Sequence, residues 1–247
     1  EATLAVRKVI LEEEGRGDES NRRRHREERF MVEAQTAQGL RGNRFLCAVL
    51  DCGLQQGRMF LVQERLNGQT LSERLRTSQT MREQEVKRLA IELLYALESA
   101  HEAQLTHANI TPSNIFLDAS SAKLLGLGLA GWEPDMINNS SYKLPVKAIP
   151  QYMSPEQASG APIDSRSDLF SVGVVMFRCI TGHLPFDGPV YVEIIQALMR
   201  APTPNIQEHA PGPVSEGLEL VVSRALAKSP DQRYSTARLM REELEQA

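Results

Sequence analysis

The residue types best suited to chemistry gather between His107 and Glu156. His107, Asn109 and Asn114 stand in the run T-H-A-N-I-T-P-S-N-I-F-L, Gly126 and Gly128 follow in a G-L-G triplet, and Ser154-Pro155-Glu156 closes the stretch. An imidazole can carry a proton near neutral pH. Asn109 cannot, because an amide lacks the basic lone pairs of a carboxylate. Asn114 alone is a poor neutral site for magnesium, which wants oxygen ligands at ~2.0–2.1 Å. Gly126 and Gly128 can be taken for a phosphate-gripping pair, but a lone G-x-G supports that only weakly.

The elements that must position these residues can be read around them. Thr3 to Leu11 is β-branched and apolar, which favours a strand. After a Gly-punctuated polar loop, Arg22 to Leu40 reads as a helix, with Phe30, Ala34 and Ala37 on one face. Its basic start, Arg22-Arg23-Arg24-His25-Arg26, reads as a solvated helix face, with a partner-docking patch as the alternative. Phe45 to Cys52 and Arg58 to Gln63 are short apolar runs joined by Gly53-Leu54-Gln55-Gln56-Gly57, a hairpin signal. From Thr70 helices dominate. Glu83 to Ala103 carries an apolar face of Val86, Leu89, Ala90, Leu93, Leu94 and Leu97. A hairpin-like stretch at Ile115 to Leu125 and a loop-rich one from Trp132 to Gln151 come next. Helices are expected at Ser165–Thr181, Val190–Arg200, Ser215–Ala227 and Ser235–Glu245. Trp132, Ser140, Ser141 and Tyr142 fall on a long loop, where modification and binding concentrate unless it is plain solvated loop.

Composition sets outer limits. At 247 residues and 41% hydrophobic the chain can bury a core, as one large domain or as two lobes sharing a cleft. A net charge of −4 argues against broad nucleic-acid binding. The three cysteines, Cys47, Cys52 and Cys179, have no framework or zinc-ligand spacing and suit free thiols in a reducing, cytoplasmic setting. No signal peptide and no run of 18 apolar residues is present, and the apolar stretch Leu169 to Phe177 reads as a buried helix, so no membrane insertion by this domain is expected. The opening at Glu1, without Met, fits a piece of something longer.

Several stretches in order resemble the bacterial-type serine/threonine protein kinases over nearly the whole chain. His107-Ala108-Asn109 with Asn114, Gly126-Leu127-Gly128 and Ser154-Pro155-Glu156 follow the frame of the family's catalytic loop, metal-binding turn and activation segment. Arg29 to Gln35 resembles the start of the regulatory helix, and Phe60 to Leu66 the last small-lobe strand and hinge, with Gln63 as gatekeeper. Tyr152 to Gln157, Ser165 to Gly173 and Arg224 to Tyr234 are similar to the large lobe's later segments. The resemblance implies an α+β, two-lobed kinase-like fold. Its small β-sheet lobe would occupy residues 1–66, without the Gly-rich loop hairpin, and its larger helical lobe residues 67–247. The chain begins where the Gly-rich loop should have ended, so the loop is missing either from this piece or from the protein.

The same resemblance assigns roles. Asn109 stands where the family has its catalytic aspartate, Gly126 where it has the metal-binding aspartate, Thr111 where a lysine meets the transferred phosphate, and Ile149 where a threonine bonds the aspartate. Ala108 replaces the arginine that grips an activation-loop phosphate. His107 becomes a packed structural histidine. A vestigial ATP cleft is implied at Ala5, Arg7, Glu33, Glu64, Leu66, Asn114 and Phe116; strict register puts Arg7 rather than Lys8 at the lysine position. Glu156 and Arg233 are implied to form a buried ion pair, and Asp168 to accept bonds from the loop backbone.

With both aspartates replaced, the sequence reads as a pseudokinase. It is expected to be no enzyme, to hold no metal, to bind ATP and Mg2+ weakly or not at all, and to act as a protein-binding scaffold or allosteric regulator in signalling. An active kinase is a candidate partner. The alternatives are a metal-independent nucleotide-binding sensor and a weak or unconventional ATP-dependent transferase.

Overall fold

Strand β3 (Arg58–Glu64) is the axis of the first sheet, with β1 (Val6–Leu11) and β2 (Val49–Gln55) paired antiparallel on its two sides in the order β1-β3-β2. The computed structural model describes residues 6–11, 20–55, 58–127 and 150–247. Helix α1 (Ser20–Gly39) lies against β2 and buries the expected trio Phe30, Ala34 and Ala37, while Val32 on its other face is exposed.

The second strand differs from its expected span. Phe45 and Leu46 do not join β2; they cross to the large lobe, where Leu46 bridges to Leu124 and Leu124 N donates to the Phe45 carbonyl at 2.8 Å. Gly53 is not a turn residue. Strand β2 runs on to Gln55, opposite Arg58, and a Cβ on Gly53 would sit 3.1 Å from the Phe60 ring, so the glycine admits an aromatic face.

The short strand β4 (Gln69–Thr70) pairs with β5 (Ile115–Leu117), itself paired with β6 (Ala122–Leu124). Thr70 caps α2 (Leu71–Thr77): its hydroxyl accepts from Glu73 N, and the Glu73 carboxylate returns to Thr70 N at 2.7 Å. Helix α3 (Glu83–Glu102) turns its periodic face inward. A short helix α4 (Pro155–Ser159) precedes α5 (Ser165–Thr181), which is buried on nearly every side. Around α5 pack α3, α7 (Glu216–Ala225) and α8 (Ala237–Gln246), and α6 (Tyr191–Arg200) packs against α4. Gly173 lets α5 and α7 close together, since a Cβ there would lie 2.9 Å from that of Ala225. The architecture is the α+β, two-lobed one expected, with helix ends displaced by only a residue or two.

Candidate active site

The loop from His107 to Asn114 is shaped from a distance. Asp168, in the first turn of α5 and 1% exposed, accepts His107 N at 2.9 Å and the His101 ring Nε2 at 2.8 Å through one oxygen, and Ala108 N at 2.8 Å through the other. Gln157 then donates to the Ala108 carbonyl at 2.7 Å. These bonds hold Ala108 at a φ of 57°, a left-handed conformation that costs an L-residue about 1–2 kcal/mol. Such a residue persists only where its surroundings over-determine it.

His107 is structural, as expected. Its Nε2 donates to the Leu125 carbonyl at 2.7 Å and its Nδ1 accepts Asn109 N at 3.3 Å. Burial pushes its pKa below the ordinary histidine value; Asp168 acts the other way, and burial prevails. Both ring nitrogens are thus engaged inside the fold.

Three sequence-assigned positions do converge. Asn114, at the end of a single 3-10 turn (Pro112–Asn114), donates its side-chain amide to the Asn109 carbonyl at 2.9 Å, and its own carbonyl accepts Leu125 N at 2.8 Å. Gly126 follows with a φ of 86°, and a Cβ placed there would lie 3.8 Å from the His107 ring and 4.0 Å from Asn114 Cγ. Thr111 is buried, 5% exposed, and turned into the fold. Ile149 and Gly128 lie outside the described residues, as do Trp132, Ser140, Ser141 and Tyr142.

On the small-lobe side the positions are more scattered. Arg7 pairs through its backbone with Gln63, and Lys8 with Val62; Ala5 lies outside the described residues. Glu33 takes an ion pair from Arg29 at 2.7 Å along its own helix. Leu66 is half-buried, and Phe116 stands on β5 opposite Thr70 and Lys123. Gln63 is buried, and among the described residues its side-chain nitrogen has no hydrogen-bond partner.

Glu64 has a job its sequence position did not announce. Its carboxylate accepts Ala48 N at 2.8 Å and the Lys123 ammonium at 2.6 Å, tying the end of β3 to β6 across the lobes. Gln157 and His101 were missed as well. Gln157 carried a local signal, being the third helical residue after Ser154 in a capping box; His101 and Lys123 carried none. Farther down, Glu156 and Arg233 form the expected pair, bidentate at 2.7 and 2.8 Å, with Ser167 completing the carboxylate at 2.6 Å. Glu156 is held below the usual carboxylate range because the Arg233 and Ser167 bonds outweigh the opposing effect of burial, the largest single influence on it.

The donors near Gly126 do not, among the described residues, make a protein-held magnesium site. Among the described residues no three His, Cys, Asp or Glu gather around one point. Gly126 brings no side chain, and Asn114 brings one neutral oxygen.

The protein kinase domain family matches residues 3–244. The serine/threonine-protein kinase PknB of Mycolicibacterium smegmatis is 34% identical over 223 residues, which is 87% of this chain and 35% of that protein. The serine/threonine-protein kinase PrkC of Bacillus subtilis is 30% identical over 221 residues, 89% of this chain and 33% of its own length. A probable serine/threonine-protein kinase of Corynebacterium efficiens is 32% identical, covering 88% and 34%. The chain thus spans about a third of the length of these relatives. These matches correct two expectations from the sequence. Relatives named as kinases, aligned along nearly the whole chain, overturn the expectation that it is no enzyme. They likewise overturn the expectation that ATP and Mg2+ are not used, since a kinase is a phosphotransferase acting from a nucleotide. That expectation read the replaced side chains at Asn109, Gly126, Thr111 and Ile149 as the loss of all catalysis, whereas phosphoryl transfer rests mainly on positioning and charge stabilisation.

Proposed function

Because the chain belongs to the protein kinase domain family, we propose that it is an ATP-dependent phosphotransferase domain of the serine/threonine-protein kinase type, weak and unconventional in its chemistry. It works on protein hydroxyls in signalling, with a protein partner, and an active kinase is the first candidate. The observation that carries this reading is the clamped loop: Asp168 and Gln157 hold His107 and Ala108 in a strained shape beside Asn109, Asn114 and Gly126. Strain kept under such restraint clusters at working sites. A cytoplasmic setting is part of the same proposal, supported by three free cysteines; no described helix is long and apolar enough to cross a membrane.

Phosphoryl transfer leaves little covalent work to the protein, so a rigid loop can still contribute by aligning the hydroxyl with the phosphate. Asn109 can accept a hydrogen bond from that hydroxyl but cannot take its proton. Losing general-base help costs about 10²–10⁴ in rate, which from a usual kinase turnover of about 1–100 s⁻¹ leaves on the order of 10⁻⁴ to 1 s⁻¹.

The test is thermal unfolding with ATP, with and without Mg2+ or Mn2+, beside transfer of label from ATP to a protein substrate using material free of other kinases. A ligand at 100 times its Kd adds about 2.7 kcal/mol of stability. A metal-dependent shift with slow labelling is expected. A shift indifferent to metal and without labelling would make the domain a nucleotide sensor, and neither shift nor labelling would end the proposal.

A further inference from the structure

Away from the loop, the 42–45 turn of the small lobe and the outer face of α3 form a groove. Two adjoining hollows of about 430 and 460 Å³ share Phe45 and Tyr95, whose rings stack with centroids 5.8 Å apart and planes 21° from parallel. Ile91 extends this apolar floor. Asn43 pins the turn onto α3, donating to the Tyr95 carbonyl at 3.2 Å and to Ser99 Oγ at 2.8 Å. Tyr95 is nonetheless 39% exposed, so stacked aromatic surface faces water.

The charges around this floor are unequal. Glu92 is satisfied by Arg88 at 3.1 Å and by Ala122 N at 2.6 Å. Glu98 is satisfied by Arg238 at 2.8 Å and Arg241 at 3.4 Å, and Arg241 also lies 4.3 Å from the Tyr95 ring centre. Arg44 lies 4.6 Å from the Phe45 ring centre, and among the described residues it makes no ion pair, although Glu98 and Glu102 line the same hollow. Glu102, on the same lining, pairs with Arg238 at 3.5 Å, so each of these carboxylates has an arginine partner, and the groove offers an apolar floor with Arg44, which has none among the described residues, at one end.

We propose that this groove docks a short acidic segment of a partner protein, with an aliphatic or aromatic side chain set between carboxylates. The apolar group would lie on Phe45, Tyr95 and Ile91, and a carboxylate would take the Arg44 fork, a charge-assisted contact next to a desolvating ring. Because the turn and α3 belong to different lobes, an occupant braces one lobe against the other. The proposal does not depend on phosphoryl transfer and is tested without nucleotide.

The probe is a fluorescein-labelled peptide of alternating Glu and Leu, read by anisotropy against the whole chain, with a Lys and Leu peptide as control. Saturable binding that weakens with salt is expected. Arg44→Glu is expected to weaken it by about tenfold or more, as is Tyr95→Ala with unfolding temperature checked, while Arg76→Glu on the distant α2 leaves it unchanged. No saturation at millimolar peptide, equal binding of the basic peptide, or indifference to Arg44→Glu would each overturn the proposal. Concentration-dependent dimers in sedimentation, abolished by Arg44→Glu, would assign the groove to a second copy and overturn it too.

Discussion

The two sides of the 107–114 loop are built by opposite rules. On the side facing the large lobe, Asp168 takes donors from His107, Ala108 and His101, and Gln157 takes the Ala108 carbonyl. On the open side stand the amides of Asn109 and Asn114 and the bare backbone of Gly126. The fold concentrates its tertiary bonds on the loop's shape and, among the described residues, leaves the edge beside Gly126 uncharged. A neutral edge does not repel a polyphosphate, but it also brings no carboxylate to a metal or a proton.

The comparison breaks first on its buried side. Arg233→Ala strands the Glu156 carboxylate, 7% exposed, inside the large lobe; a loss of ~3–5 kcal/mol is expected in chemical denaturation. Asp168→Asn turns an acceptor into a donor facing a backbone N–H. It is expected to cost about 1.5–3 kcal/mol and to loosen amide exchange around Ala108.

A pH series sharpens the contrast at His107. Burial keeps the folded-state pKa below the ordinary value of 6.5, so the unfolded chain takes up the proton first. Stability is then unaffected above about pH 6.5 and falls as the pH drops below it, by at most about 1.4 kcal/mol per pH unit. Urea midpoints at pH 7 and pH 5.5 read this, and His107→Gln should show a shallower decline.

The smallest effect belongs to the open side. Gly126→Asp has room beside Asn114, but a φ of 86° strains any L-residue, so a stability cost of about 1 kcal/mol is expected. The Mg2+-dependent part of the ATP thermal shift should grow. No change in that part would mean that the edge is not where the nucleotide's metal sits.

Much of the fold was legible because it rests on local periodicity. The apolar face of α3 and the unbroken apolar run inside α5 each state their element and burial within a few turns. The site was legible through short motifs in order, which placed Asn109, Asn114 and Gly126 together. Strand β2 was misplaced because Phe45 and Leu46 look like strand residues, whereas their backbone partner, Leu124, lies far along the chain. Motif reading also overreached: two missing aspartates suggested no activity, while the family match over residues 3–244 supports a kinase domain.

The amino-acid sequence by itself determined the helices, the two-lobed plan and the identity of the loop, because these follow from patterns a few residues long. Only the tertiary structure decided that His101 would join the Asp168 carboxylate, that Glu64 would reach Lys123, and that Phe45 would stack on Tyr95. Each of these joins residues far apart in the chain. A contact closed across such a distance leaves no local trace, because its geometry exists only once both lobes have packed.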